Sequence, residues 1–214
     1  MTGIHNARER LIAAAEGLLV RSGPRAVSMD AAAAAAEAGK MSAYRHFASR
    51  NDLMAAVLEH HHPRHLQWLV GHGGDAGSGR DAGSGQPAGS GRAGSSAGEP
   101  AGRILAAFDR LESAAGSEPF RGCPFVDAAL GAPESGDRTG AIAWQHKQEV
   151  ARALAGLAAQ AGLAEPEELG AAVALIIDGA AVQAALAPDR ASRQRIVRRG
   201  RRAAGALVAS AARS

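Results

Sequence analysis

A cluster of hydrogen-bonding side chains lies near the N-terminus and suits contact with nucleic acid. It comprises Lys40, Ser42, Tyr44, Arg45 and His46, with Met41 among them. Such groups grip phosphates, and one or two of them can read base edges in the major groove. The apolar Phe47 that follows is expected to anchor the segment in a core. Residues 39–47 therefore predict a short DNA-reading helix, with the alternative that Tyr44 is a core aromatic and the cations are solvated.

Four clustered histidines raise the alternative of a metal site. They are His60, His61, His62 and His65. His61 and His65 have the spacing of one helix face, but Pro63 disturbs that geometry, and a closed zinc site needs four ligands. We therefore expect a solvated helix end and no metal.

Cys123 is the single cysteine and the obvious candidate nucleophile. It lies between Gly122 and Pro124 with no base at a diagnostic spacing, so a buried structural thiol is favoured over a redox sensor or nucleophile. Paired catalytic carboxylates and a nucleophile–base spacing are also lacking. We expect a protein that is not an enzyme and that carries no cofactor.

The composition indicates an all-α protein. Of 214 residues 46% are hydrophobic and only 3% aromatic, with alanine, the best helix former, dominant. The formal net charge of +3 is too mild to prove a nucleic-acid partner by itself. The charged N-terminus lacks the apolar stretch of a signal peptide, and no apolar, uncharged run reaches the length of a membrane span. We expect a cytoplasmic protein without a membrane partner.

Helical periodicity predicts that the DNA-reading segment at residues 39–47 forms the third of three consecutive short helices. The pattern predicts helices over residues 7–21, 29–36 and 40–46, with Ser28 as an N-cap. Ser49 and Asp52 resemble a capping box that opens a fourth helix, expected to run through Glu59 and to end or kink at Pro63. Three short helices with a tight turn before the third match helix-turn-helix geometry.

A glycine- and serine-rich stretch separates this region from the rest of the chain. Residues 71–102 contain a loose Ala-Gly-Ser-Gly repeat and too little apolar surface to offset the entropy of ordering. They predict a flexible insertion. A phosphate-cradling loop is disfavoured because no strand precedes the stretch. We expect a DNA-binding domain at 1–50 and a helical regulatory and dimerisation domain at 51–214.

The C-terminal part predicts five further helices, or about nine in all. Four cover residues 104–115, 141–160, 167–186 and about 190–211, and the segment around Arg121 to Leu130 turns helical after two prolines. The last two helices carry apolar or small-residue seams that predict a homodimeric four-helix bundle. The predicted interface residues are Leu169, Val173, Ile176, Ala180, Ile196, Gly200, Ala203 and Leu207.

Two further residue sets leave alternatives open. A ligand pocket, or else an ordinary core, is expected from Phe108, Phe120, Cys123, Phe125, Trp144 and His146. The arginine run of the last helix suggests either a charged outer face or, less favoured, a second nucleic-acid surface. Its members are Arg190, Arg193, Arg195, Arg198, Arg199, Arg201 and Arg202.

The chain resembles the TetR family of repressors. The N-terminal likeness rests on Ala14-Ala15, Leu18, Gly23, Ser28-Met29, Tyr44-Arg45-His46-Phe47, Ser49-Arg50 and Leu53. A subgroup with a GCPF motif is indicated by Arg121 to Phe125, Lys147 and Asp178-Gly179-Ala180. The resemblance implies that a DNA-facing set contacts palindromic double-stranded operator DNA. That set is Ser28, Lys40, Met41, Ser42, Tyr44, Arg45, His46 and Arg50.

Two departures from the family pattern affect the predicted DNA-binding domain. Ala32-Ala33 replaces the usual Ile-Ala, and losing a core isoleucine to alanine typically costs about 2–5 kcal/mol. Glu37-Ala38 replaces a glycine–valine pair in the turn, where a left-handed non-glycine residue costs roughly 1–2 kcal/mol. These changes predict a loosely packed headpiece.

The resemblance implies a repressor that a small-molecule inducer releases from DNA. The alternative is a helical small-molecule carrier or enzyme that has lost DNA binding, an interpretation supported only by the alanine-rich second helix and the altered turn.

Overall fold

The computed structural model describes residues 6–71, 99–131 and 138–213, and within these ranges the regular structure is entirely helical. Within the described residues, nine α-helices and one 3₁₀ turn follow one another. They are α1 Ala7–Ser22, η1 Pro24–Ala26, α2 Met29–Ala35, α3 Lys40–His46, α4 Arg50–Val70, α5 Pro100–Ala115, α6 Pro124–Gly131, α7 Arg138–Gln160, α8 Pro166–Leu186 and α9 Arg190–Ala211. The expected all-α fold is confirmed.

The described residues form two compact units. The N-terminal unit contains residues 6–64, 124–131 and 138–145, and the C-terminal unit contains residues 65–71, 99–123 and 146–213. The helices α4 and α7 therefore each contribute residues to both units. The predicted division at residue 50 stays a prediction.

Side-chain caps explain where several helices begin. The Ser28 hydroxyl oxygen accepts from the Ala31 amide at 3.1 Å, so it caps α2 as expected. At α4 the Asp52 amide donates to the Ser49 hydroxyl at 3.0 Å, while that hydroxyl donates to the Asp52 carboxylate, which confirms the predicted cap. The Asp189 carboxylate caps α9 through the Ser192 amide.

Two predicted boundaries are wrong. Helix α4 passes Pro63, where an end or a kink was expected, and ends only at Val70, seven residues further on. Helix α5 begins at Pro100, because proline fits the first helical turn, so the last residues of the predicted insertion are helical. The rest of that insertion, residues 72–98, lies outside the described residues.

Two arginines of α5 satisfy the last carbonyls of α4. The Arg110 guanidinium donates to the Leu69 and Gly71 carbonyls, both at 3.2 Å, and Arg103 reaches the Val70 carbonyl at 3.5 Å. These carbonyls have no partner within the helix, and cations near a helix C-terminus are favourable. Burial and the neighbouring Arg103 lower the pKa of Arg110, in that order of effect.

The C-terminal unit has a core of mainly α5, α8 and α9. Phe108, Leu154, Val173, Val197 and Ala204 are among its fully buried side chains. A Cβ added at Gly200 on α9 would lie 3.2 Å from Ala180 and from Phe108, so glycine lets the three helices approach closely. Helix α8 is also long and apolar enough to cross a membrane, but this is expected of a helix that packs in a protein core.

Candidate nucleic-acid interface

The turn that leads into α3 holds a non-glycine residue in the left-handed region. Glu37 has φ 51°, its amide donates to the Ala34 carbonyl, and the Ala38 amide donates to the Ala33 carbonyl at 2.8 Å. This confirms the expectation of a strained turn at the position of the family's glycine. Gly39 then caps α3 with its backbone carbonyl, which accepts from the Ser42 amide at 2.8 Å.

Helix α3 has one buried side and one exposed side. Ala43 and Phe47 are buried in the N-terminal unit, as predicted for Phe47, and the Arg8 guanidinium lies 5.4 Å from the centre of the Phe47 ring. The solvent-facing set includes most of the predicted DNA contacts and one partly exposed hydroxyl. Its members are Lys40, Met41, Ser42, Tyr44, Arg45 and His46. The structure thus brings these residues to a single accessible surface, which we call the reading surface.

Asp30 of α2 forms an ion pair with Lys40, the first residue of the reading surface. The Lys40 ammonium lies 2.9 Å from an Asp30 carboxylate oxygen, and both side chains are more than half exposed. The hydrogen bond and the charge of Asp30 raise the pKa of Lys40. Sequence reasoning missed this pair because ten residues and a turn separate its members. A DNA phosphate that binds Lys40 must therefore compete with Asp30.

Arg50 differs from the expected phosphate contact. Its guanidinium is half-buried and donates from Nε to the Val27 carbonyl at 2.6 Å and from Nη2 to the Pro24 carbonyl at 2.5 Å. The side chain therefore fastens the start of α4 to the η1 segment. An arginine has five N–H donors, so these two bonds leave a phosphate role as an untested prediction. Ser28 also has a structural task, since its oxygen caps α2.

A buried glutamate joins α1 to α4 below the reading surface. The Glu16 carboxylate accepts from His61 Nδ1 at 2.6 Å and from Arg64 Nη2 at 2.6 Å, and His60 lies 3.3 Å away. Burial would raise the pKa of Glu16, but the bonds and charges of His61 and Arg64 outweigh it and lower the pKa to about 2. We call Glu16, His61 and Arg64 the α1–α4 clamp.

The clamp accounts for part of the histidine cluster. The expected solvated helix end is wrong at His61 and His65, because both side chains are buried. Among the residues that the structure describes, no group of three or more histidine, cysteine or acidic side chains is arranged to hold a metal. His61 and Arg64 have a same-face spacing, but their partner on α1 depends on helix register, which sequence does not show.

The predicted pocket residues are distributed over both units. In the C-terminal unit Phe108 and His146 are fully buried, Cys123 is buried and Phe120 is partly buried. In the N-terminal unit Phe125 is buried, but Trp144 is 67% exposed, so its indole lies at the surface rather than in a cavity of the chain. The His65 and His146 rings lie 5.0 Å apart, a pair that the sequence analysis missed. The pocket stays a prediction.

The predicted dimer seam needs correction on α8. Leu169 and Val173 are buried in the chain's own core and cannot face a partner. Ile176, Ala180, Ile196 and Gly200 instead line an open groove between α8 and α9, while Ala203 and Leu207 are exposed. Leu169 and Val173 were included in the seam because α8 is apolar on more than one side, and the rest of the predicted seam stays a prediction.

An exposed apolar stripe on α8 was missed. Leu175 is 73% exposed, Leu186 is 81% exposed, and Gly179 and Val182 lie between them. The spacing of four, three and four residues is that of a helix–helix seam. We call this stripe, with the groove residues, Ala203 and Leu207, the α8–α9 face.

The arginine run of α9 is partly occupied within the chain. Arg198 pairs with Glu112 and Arg201 pairs with Asp109, both at 2.7 Å, and Arg193 contacts Glu118 at 2.6 Å. These acidic partners lie on α5 or just after it. The run therefore serves helix packing at three positions, which favours the charged outer face over a second nucleic-acid surface.

Residues 11–57 match the family model described as bacterial regulatory proteins, tetR family. The matched segment begins in α1, contains α2, the strained turn and α3, and ends in α4. This segment is a TetR-type DNA-binding domain. It holds the whole reading surface, so the surface lies where a helix-turn-helix protein presents its recognition helix.

Solved TetR-type structures share the fold of almost the whole chain. A TetR-family transcriptional regulator from Streptomyces coelicolor is 22% identical, with a TM-score of 0.70, over 96% of this chain and 95% of that one. Regulatory protein TetR from Rhodobacter sphaeroides is 22% identical, with a TM-score of 0.66, over 92% and 97% of the two chains. A cysteine mutant of the TetR-family regulator CifR, crystallised with 26-base-pair operator DNA, is 24% identical, with a TM-score of 0.63, over 95% and 99%. Curated protein sequences give no match.

Proposed function

We propose that this chain is a transcriptional regulator that binds double-stranded operator DNA through the reading surface. The observation that carries the proposal is the exposed row of donors on α3 inside the TetR-type domain. In a helix-turn-helix protein the recognition helix enters the major groove, where such side chains meet phosphates and base edges. Lys40, Tyr44 and His46 are assigned to phosphate or sugar, and the operator complex of CifR supports the same partner.

The regulator acts on DNA as a homodimer held by the α8–α9 face. Two copies of this face make an antiparallel four-helix bundle that covers Leu175, Val182 and Leu186. A two-fold dimer presents two recognition helices about 34 Å apart to a palindromic operator. Because it is proposed to bind DNA, the regulator is proposed to act in the cytoplasm.

The C-terminal unit takes a small-molecule effector, and its binding releases the repressor from DNA. The residues proposed to contact the effector include Phe108 and His146, which are both fully buried in this unit. Release requires that the effector bind the non-DNA-binding conformation more tightly. The GCPF sequence at 122–125 supports the further proposal that the chain belongs to a TetR subgroup with this motif in its C-terminal domain.

A salt-dependent binding titration tests the DNA proposal. DNA from upstream of the chain's own gene is titrated by fluorescence anisotropy, with excess competitor DNA, at several salt concentrations. Each lost phosphate contact lowers the slope of log K against log salt by about 0.9. We expect Lys40→Ala to lower the slope by about this amount and Arg152→Ala, an equal loss of charge at an exposed position of α7, to leave it unchanged.

The same titration separates the proposal from the carrier or enzyme alternative, which the strained Glu37 turn favours. Competitor-resistant binding that Lys40→Ala weakens supports the regulator. Weak binding to every duplex, with equal effects of the two substitutions, overturns the role of the reading surface.

A further inference from the structure

Helix α3 exposes two large hydrophobic side chains on the reading surface. Met41 is 73% exposed and Tyr44 is 46% exposed. Among the described residues up to Arg64, no other large hydrophobic side chain is exposed to this extent. Single scattered hydrophobic residues are ordinary on a protein surface, whereas two neighbours three residues apart on one helix form an apolar patch. The patch therefore coincides with the helix that is proposed to enter the DNA groove.

Met41 lies in the first turn of α3, the part of a recognition helix that contacts base edges. In the same turn Lys40 is paired with Asp30 at 2.9 Å, and Ala43 is buried. The first turn thus presents an exposed side chain without charge at the position where sequence is read.

The chemistry of methionine restricts what Met41 can recognise. Its thioether has no hydrogen-bond donor and is only a weak acceptor. The base edges in the major groove present hydrogen-bond donors and acceptors, and the apolar group among them is the C5-methyl of thymine. A flexible, polarisable thioether adapts well to a small apolar group. A base contact by Met41 is therefore best satisfied at a thymine.

We propose that Met41 is a specificity-determining residue that packs against the C5-methyl group of a thymine in each half-site of the operator. This inference rests on the proposed DNA binding through the reading surface, and it names a base that this surface prefers. The phosphate and sugar contacts assigned to Lys40 and Tyr44 fix the register on DNA but carry no sequence information. Met41 supplies a base preference that those contacts lack.

Replacement of thymine by uracil tests the proposal, because uracil lacks the methyl group and keeps the O4 acceptor. The full chain first selects preferred duplexes from a pool of random sequences. Each thymine of the selected sequence is then replaced in turn by uracil, and binding is measured by fluorescence anisotropy. Loss of one contacted methyl should weaken binding about fourfold, as expected for the burial of one methyl-sized group. Loss of a symmetry-related pair should weaken it about fifteenfold, since separate positions act additively.

Variants at position 41 assign the effect to this side chain. Met41→Ala should bind the thymine and uracil duplexes equally, and Met41→Leu, which has a similar volume, should retain most of the discrimination. Because Met41 is 73% exposed, both replacements should leave the fold intact. Leu130→Ala is the control, since Leu130 is 76% exposed on α6, and it should discriminate as the wild type does.

The outcomes separate this inference from the proposed function. Selection without any enriched sequence overturns both. An enriched sequence that lacks thymine, or whose thymines all tolerate uracil, overturns the inference alone, and so does a uracil effect that persists in Met41→Ala. A further duplex carries 5-methylcytosine, paired with guanine, in place of the sensitive thymine. Tighter binding to this duplex than to the thymine duplex would overturn thymine as the source of the methyl group.

Discussion

At the scale of single residues, the TetR-type domain combines the exposed reading surface with a strained backbone conformation in the turn before α3. Glu37 occupies a left-handed conformation that glycine adopts without a steric penalty. Arg50 donates two hydrogen bonds to backbone carbonyls, and Asp30 forms an ion pair with Lys40. Glu37 thus strains the turn, and the side chains of Arg50 and Lys40 already have partners within the chain.

Replacing Glu37 with glycine should stabilise the TetR-type domain. Relief of the left-handed strain should stabilise the folded chain by roughly 1–2 kcal/mol. The greater conformational freedom of glycine in the unfolded chain should offset roughly 0.4–1 kcal/mol of this gain. We expect a net gain of up to about 1 kcal/mol in thermal unfolding. Glu37→Ala is the matched control, since it removes the carboxylate and keeps the strain. An equal gain in both variants would assign the effect to charge instead.

At the scale of elements, the α1–α4 clamp makes the contact between two helices sensitive to acid. The pKa of Glu16 is about 2 in the folded chain and 4.5 without its partners. The folded state therefore binds fewer protons at this site than the unfolded state. The resulting stability is fully present above about pH 4.5 and is lost as the pH falls towards 2.

Glu16→Gln should remove this acid-sensitive stability. The contribution at neutral pH is on the order of 3 kcal/mol, since each pKa unit corresponds to about 1.4 kcal/mol. Urea unfolding between pH 6 and pH 2.5 should show the variant less stable at the upper end and similar to the wild type at the lower end. Glu9→Gln, on the exposed side of α1, provides the comparison. A wild-type-to-variant difference that is constant with pH would contradict the clamp.

The helices themselves were largely predictable, whereas their mutual contacts were not. Caps such as Ser28 and Ser49 and the periodicity of apolar residues are local signals, and they placed most helix ends within a few residues. Glu16 with His61, Asp30 with Lys40 and Cys123 with Lys147 depend on how one helix is rotated against another. For α8, helical periodicity could not distinguish the side that packs in the core from the exposed stripe, because both carry apolar residues.

At the scale of the whole molecule, the α8–α9 face is an exposed apolar surface of the C-terminal unit. Leu175 and Leu186 are more than two-thirds exposed, and burying a leucine gains about 1.5–3 kcal/mol. A second copy of the chain provides a matching surface by two-fold symmetry. The proposed dimer would cover this face, which packing among the described residues leaves exposed.

Leu175→Glu should convert the dimer to a monomer. Sedimentation equilibrium should give twice the 21.7 kDa chain mass for the wild type and a single chain mass for the variant, because a carboxylate in the seam is costly to bury. Leu130→Glu is the control, since Leu130 is 76% exposed on α6, in the N-terminal unit. A monomeric wild type, or a dimeric Leu175→Glu variant, would overturn this interface.

The arginine bonds between α5 and the end of α4 have a practical consequence for protein engineering. Arg103 and Arg110 bond the last carbonyls of α4 directly to α5 through their side chains. Substituting either arginine would leave one or more of these carbonyls without that donor. A designer who alters the surface of α5 should therefore keep both arginines, because they hold the end of α4.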